Sequence, residues 1–354
     1  MSYTNGLDKP TDYFNTVLYT GNGSARTITG VGFQPDWVWV KDRSSANYHY
    51  LYDSVRGNNL NLFSNDASAE VNVTTGQNGG GIGSQASDGF NIVSGLVNTN
   101  NVNTSGNLYA SWNWLGANGT SSNTDGSITS TVSANTTSGF SIVSYTGNGS
   151  VATVGHGLGV TPKIFIVKNR TSSNSWPVYS SMTGNGNKLL LNSTGASSSS
   201  GNWNSTSPTS SVFTINGASG EVGASGNNYI AYCFAEKKGF SKFGSYTGNG
   251  NDDGTFVYTG FTPAFVIRKR TDSTNTWVMF DNKRPEYNVR DKRLGADISD
   301  AEASGNTNRL DLLSNGFKNR GTATGSNGSG ASYIYMAFAE NPFVTSTGIP
   351  ACAR

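Results

Sequence analysis

The chain reads as an all-β protein built from three tandem β-sandwich domains, jelly-roll or concanavalin-like, with long polar loops. Three observations predict this. Forty-five glycines and abundant Asn, Ser and Thr, beside few Ala, Leu, Glu and Lys, leave little material for helix. Short apolar stretches are punctuated by turn residues at strand spacing, which suits two sheets that each bury one face. One pattern of about a hundred residues recurs three times, too long for a solenoid unit and right for a compact domain.

Each copy opens on Tyr-Thr-Gly-Asn-Gly, at Tyr19 to Gly23, Tyr145 to Gly149 and Tyr246 to Gly250. A proline follows, leading into an apolar run that ends in a lysine: Pro35 to Lys41, Pro162 to Lys168 and Pro263 to Lys269. The run Trp37-Val-Trp-Val40 is apolar on both faces, so it is expected to be covered on both sides or to sit against a neighbour. Eighteen residues past each proline stand Asp53, Ser180 and Asp281. Phe90 lies in a strand entered by a tight turn, with counterparts around Phe213 and Phe317. Each copy closes on an aromatic segment ending at Trp114, Phe234 or Phe338.

These landmarks divide the chain into an N-terminal arm (1–11), repeat one (12–116), a polar linker (117–138), repeat two (139–239), repeat three (240–343) and a C-terminal tail (344–354). The linker has Ile128 and Val132 as its only large apolar residues, too few to order it independently, so repeat one is expected to fold alone. No linker separates repeats two and three. Rigid contact between them is expected.

A net charge of +2 with 13% charged residues offers no basic field for nucleic acid or an anionic membrane. The start lacks the basic flank and apolar stretch of a signal peptide, and no apolar run approaches a membrane span. Production in a cytoplasm is therefore expected. Cys233, in an apolar strand, reads as a small buried hydrophobe, and with Cys352 it makes no disulfide framework.

The phrases Gly32 to Lys41, Leu51 to Gly57, Tyr229 to Glu236 and Gly239 to Gly250, with the tail Gly348 to Arg354, resemble a family of virion proteins of tailed bacteriophages, frequent in marine phages. The resemblance implies concanavalin-like sandwich repeats in a structural protein of the particle, a tail-fibre or tail-tip component, present in several copies or as a homo-oligomer. Other virion proteins, and a host-surface glycan or protein, are its implied partners. A head-decoration or collar protein is the alternative. The resemblance brings no catalytic motif.

The residues themselves suit a non-enzymatic protein with no cofactor. His49 occupies the position filled by Trp176 and Trp277 in the other copies, which argues for packing, and His156 is a turn residue without metal-ligand spacing. Gly79 to Gly83 lacks the Lys-Ser/Thr of a phosphate loop and reads as a flexible loop. Asp252 and Asp253 form a weak calcium candidate, short of the ligands calcium needs, and glycan cleavage would need carboxylates facing across a groove. For binding, Trp203 between Asn202 and Asn204 is the first candidate: an exposed ring stacks on a sugar while amides bond its hydroxyls. The competing reading folds that ring over its own sheet edge. Tyr48 is a second, weaker candidate.

Overall fold

The computed structural model describes residues 7–75, 80–94, 101–305 and 308–349. These residues are all-β, with a single 3-10 turn at Pro10–Asp12 and no α-helix. The strands form six sheets, which come along the chain as three pairs, one larger and one smaller. In the first repeat the larger sheet runs in the order Phe14–Thr20, Leu108–Trp114, Trp37–Asp42, Tyr50–Asp53, Leu60–Phe63, Val71–Asn72; the smaller one holds Arg26–Thr29, Gly89–Val93 and Gly81–Ala86. The other two larger sheets keep this order. They contain Phe140–Thr146, Asn228–Phe234, Ile164–Asn169, Pro177–Ser180 and Asn187–Leu190, and Ser241–Thr247, Ser332–Pro342, Phe261–Arg270, Val278–Asp281 and Leu294–Gly295. The closing strand of each repeat thus lies between the opening strand and the one that bears the lysine.

Successive side chains of a strand point to opposite faces, and both faces of these larger sheets are buried. Tyr109, Tyr229 with Ala231 and Cys233, and Tyr335 with Ala337 face the smaller sheet of their own pair, in three separate cores. Their neighbours Trp112 and Trp114, Ile230, Tyr232 and Phe234, and Ile334, Met336 and Phe338 all enter one shared core. The three closing aromatics meet there: Trp114 and Phe338 are 5.6 Å apart, Phe234 and Phe338 6.0 Å, and Trp37 bridges Trp114 (4.5 Å) to Phe234 (5.9 Å). This is why Trp37-Val-Trp-Val40 is apolar on both faces. Val38 and Val40 serve the local core, Trp37 and Trp39 the common one.

The repeats close into a ring through equivalent contacts. The lysine ending each apolar run is buried and donates to a backbone carbonyl of the neighbouring repeat: Lys168 to Ala67 (2.9 Å), Lys269 to Thr194 (2.7 Å) and Lys41 to Ser299 (2.9 Å). Burial lowers the pKa of each to about 8. The indoles of Trp176 and Trp277 donate across the same seams to Phe63 and Leu190, each at 2.9 Å. His49 takes the third such place. Its Nδ1 accepts from Trp39 Nε1 at 2.9 Å, which puts the ring proton on Nε2, beside the backbone of Gly295 and Ile298.

Two seams add a buried charge network. Between repeats one and two, Glu70 bridges Arg56 and Arg170, Arg56 also holds Asp53, and Tyr232 donates to Asp53 at 2.7 Å. Between repeats three and one, Glu302 bridges Arg284 and Arg43, Arg284 holds Asp281, and Trp112 donates to Asp281 at 3.0 Å. The seam between repeats two and three has Ser197 and Thr271 at the glutamate and arginine places, joined by a backbone hydrogen bond of 2.8 Å.

Three boundary expectations are corrected. The polar stretch 117–138 is not a free linker: Ser121–Asn123 and Ser130–Asn135 are strands that extend the second larger sheet beyond Phe140–Thr146. Adding strands to an existing edge needs no apolar face of their own; Val132 is buried, and Asp36 of repeat one accepts from the backbone of Gly116 and Asn118. The arm belongs to the fold from Leu7, which is buried in the common core, and residues 1–6 lie outside the described residues. The tail is tied to it, Ser346 donating its N–H to Asp8 at 2.7 Å; Cys352 and the rest of 350–354 lie outside the described residues. Of Gly79 to Gly83, expected as a flexible loop, Gly81 to Gly83 lie in the strand Gly81–Ala86, and Gly79 lies outside the described residues.

Candidate functional site

The repeated pentapeptide is structural. Its tyrosine stacks on the tyrosine of the closing strand in every copy: Tyr19 on Tyr109 (4.9 Å), Tyr145 on Tyr229 (5.2 Å), Tyr246 on Tyr333 (4.9 Å). The first glycine lies so close to the loop that leads into the closing strand that a Cβ would meet Thr104 O at 1.9 Å, Ala224 O at 2.4 Å or Gly328 O at 2.3 Å. The second, Gly23, Gly149 or Gly250, has φ between 67° and 78°, where glycine is favoured. The shared residues are spent on holding each copy together.

Of the two readings of Trp203, an exposed binding ring or a ring folded over its own sheet edge, burial excludes the first: the ring is fully buried. It packs edge-on against Phe165 (4.9 Å), and its indole donates to Asn187 O at 2.9 Å. Its polar flanks do not mark exposure: Asn202 is buried too, donating to Glu221 at 2.7 Å, and only Asn204 of the three is exposed. Tyr48 is 44% exposed, with its ring stacked on Phe63 at 5.0 Å. Asp253 pairs with Lys318 and Arg320, and the Lys318 hydrogen bond and charge hold its carboxyl below the usual range. Asp252 faces Arg309 at 3.9 Å. Among the described residues no group of three or more His, Cys, Asp and Glu could hold a metal ion.

His156 is buried, with Nδ1 accepting from Leu158 N–H at 3.2 Å and Nε2 3.3 Å from Thr209 O. Burial lowers its pKa. Burial likewise pushes the Cys233 thiol far up, so it is no nucleophile.

The exposed features lie where the repeats differ. Repeat three carries a groove of about 470 Å³ walled by Tyr258 and Phe343, with Glu236, Lys238 and Lys242 along it. Tyr258 is 59% and Phe343 40% exposed, and Phe343 N–H donates to Gly260 O at 3.2 Å, which holds the two rings on one site. Val257, Ile28 and Val154 are the inward residues of equivalent strands, so Phe256 and Tyr258 stand where the other copies have Thr27 and Thr29, or Thr153 and Gly155. Comparing the copies position by position is the signal that finds these aromatics in the sequence. A polar cleft of about 620 Å³, beside Asn123, Asp125 and Ser211, lies where the added strands meet repeat two.

A family model described as a domain of unknown function (DUF7483) matches residues 9–342, and the chain belongs to that family. The match runs through all three repeats. No curated protein and no solved structure matches the chain.

Proposed function

We propose that this DUF7483 protein is a non-enzymatic structural protein of a tailed-phage virion, a tail-fibre or tail-tip component that contacts the host surface. Its three sheet pairs are read as three tandem β-sandwiches of jelly-roll or concanavalin-like kind. The virion assignment rests on the repeated phrases quoted above. The observation that carries surface contact is the division of labour: shared residues build the ring, while large exposed aromatics sit on the strand of repeat three that differs from its counterparts. Asp53, Asp281, Glu70 and Glu302 hold arginines in the seams, and both histidines are buried.

In this reading the protein is made in the host cytoplasm, assembles with other virion proteins in several copies, and meets a host glycan or protein. Antibodies against the exposed Phe256–Tyr258 strand should label the tail tip in electron micrographs of particles and block adsorption. Labelling of the head, with adsorption intact, refutes the placement. One observation favours a second reading, a head-decoration or collar part: a closed ring of three copies offers three similar faces to quasi-equivalent neighbours. The same micrographs decide between the two.

A further inference from the structure

We propose that the cleft at the seam between repeats two and three binds a neutral saccharide. The inference rests on the host-contact reading for the source of that sugar, and places it away from the aromatic strand. The three seams share one backbone frame: the N–H groups of Glu70, Ser197 and Glu302 donate to the carbonyls of Arg170, Thr271 and Arg43, at 3.0, 2.8 and 2.9 Å. The side chains on that frame differ. Asp53, Arg56, Glu70 and Arg170 occupy the first seam, and Asp281, Arg284, Glu302 and Arg43 the one between repeats three and one; Ser180, Thr183, Ser197 and Thr271 stand at those places in the remaining seam. Carboxylates and guanidinium groups have all become hydroxyls. A cleft of about 580 Å³ lies there, with Thr183, Ser197 and Thr271 in its walls. It falls within the range of about 300–1,000 Å³ usual for small-molecule sites, at the kind of junction where such sites are frequent. In the first seam Arg170 reaches Ser144 Oγ at 3.4 Å, whereas the counterpart Ser245 lines the cleft and is exposed.

The lining selects the ligand. Its hydroxyls both donate and accept, as those of a sugar do, and Asn187 adds an amide. Asp272 is the one ionised group among the lining residues, and it is engaged, accepting from Arg270 Nε at 2.6 Å and from Ser332 N–H at 3.1 Å. An anion entering the cleft would lose water without meeting a cation on its walls, and a cation would compete with Arg270. Met182 and Tyr246 give the C–H face of a pyranose some apolar wall. The Tyr246 ring is held by its stack on Tyr333, at 4.9 Å, and by its hydroxyl, which donates to Ser326 O at 2.7 Å.

The test titrates the full chain with maltohexaose, cellohexaose, chitohexaose and mannohexaose, with oligogalacturonate as the acidic comparison. Binding of at least one neutral probe is expected, about tenfold or more tighter than the acidic one and changed by less than about twofold between low and high salt, since no ion pair forms. Ser197→Glu with Thr271→Arg fills the cleft as the other seams are filled, and should weaken binding by about tenfold or more while the ring still forms. Ser197→Ala removes one half-buried hydroxyl without adding a charge and should weaken binding by about threefold. With the sugar bound, hydrogen exchange should slow at Thr183 to Asn187 and at Ser245 to Thr247. Failure of every neutral probe, tighter binding of oligogalacturonate, binding that survives the filled cleft, or protection confined to other segments overturns the proposal. Host cells that adsorb the filled variant as well as the wild type overturn the cleft as the place of host contact but leave the host-contact reading standing. No adsorption by the wild type sinks that reading itself, while the titration still decides the cleft.

Discussion

Truncating Phe338 to alanine tests whether the three repeats share one core. Phe338 touches rings from all three: Phe14 at 5.3 Å and Trp114 at 5.6 Å, Phe234 at 6.0 Å, and Phe243 at 5.7 Å. Losing a buried phenylalanine costs about 3–5 kcal/mol through lost transfer energy and the cavity left behind. How that loss appears depends on how much of the chain unfolds with it. Unfolding entropy is about 2.1 cal/mol/K per residue, so a 354-residue unit loses ~0.7 kcal/mol per degree and its Tm should fall by about 4–7 °C. A repeat of about a hundred residues melting alone would drop by about 14–24 °C while the other two stayed put. Calorimetry of both proteins distinguishes these outcomes, with near-ultraviolet circular dichroism following the seven tryptophans. One transition shifted by a few degrees is expected. Several transitions, only one of them displaced, would refute the common core.

Trp203→Ala should cost about 3–5 kcal/mol in a denaturant titration, since the ring is core; an unchanged midpoint would contradict its burial. Glu302→Gln leaves Arg43 and Arg284 without their shared carboxylate and should destabilise by about 3 kcal/mol or more, whereas Ser197→Ala at the equivalent place should stay within about 0.5 kcal/mol. Equal effects would remove the distinction between the seams. Burial holds the His49 pKa well below the 6.5 of the unfolded chain, so below that pH the unfolded state binds the extra proton and stability falls, by at most about 1.4 kcal/mol per pH unit. Asp297, raised to about 6 by burial, acts oppositely, gaining its proton in the native state first and adding stability as pH falls toward 3.8. Stability measured from pH 6.5 to 5 should therefore decline more steeply for the wild type than for His49→Gln; parallel curves would dismiss His49 as a source of acid sensitivity.

What the sequence made legible was what packing forces on all three copies. Trp37-Val-Trp-Val40 announced a strand covered on both faces, because no solvated sheet tolerates that run. It did not say which neighbour covers it, since ring closure pairs residues as distant as Lys41 and Ser299. The stretch 117–138 looked unstructured because a strand added to an existing edge is held by backbone hydrogen bonds and leaves almost no apolar signature. Trp203 looked exposed because its neighbours are amides, yet a buried amide with a carboxylate partner reads the same as a solvated one. Tyr258 and Phe343 stand far apart along the chain and come together through the pairing of Phe261 with Pro342 and the hydrogen bond from Phe343 to Gly260.

The unequal seams suggest what a single chain gains over three identical subunits. In a homotrimer every substitution appears three times, so an aromatic at the place of Tyr258 would appear at the places of Thr29 and Gly155 as well, and a seam without its glutamate would recur around the ring. Here the charge networks guard two seams, and the third relies on Lys269, the Trp277 indole and backbone contacts. Buried ion pairs contribute little net stability but penalise a wrong partner, because each charge misplaced is a charge buried alone. Glu70 with Arg170 and Glu302 with Arg43 therefore disfavour a seam in which either glutamate would meet Thr271 in place of an arginine. That leaves repeat three's outer strand free to carry Phe256 and Tyr258 without disturbing the ring. A chain with Ser197→Glu and Thr271→Arg, placing the glutamate–arginine pair at the third seam, should fold to the same ring with little gain in stability, as a well-formed buried pair does. A gain of many degrees in Tm would show that seam to be the weak point of the ring.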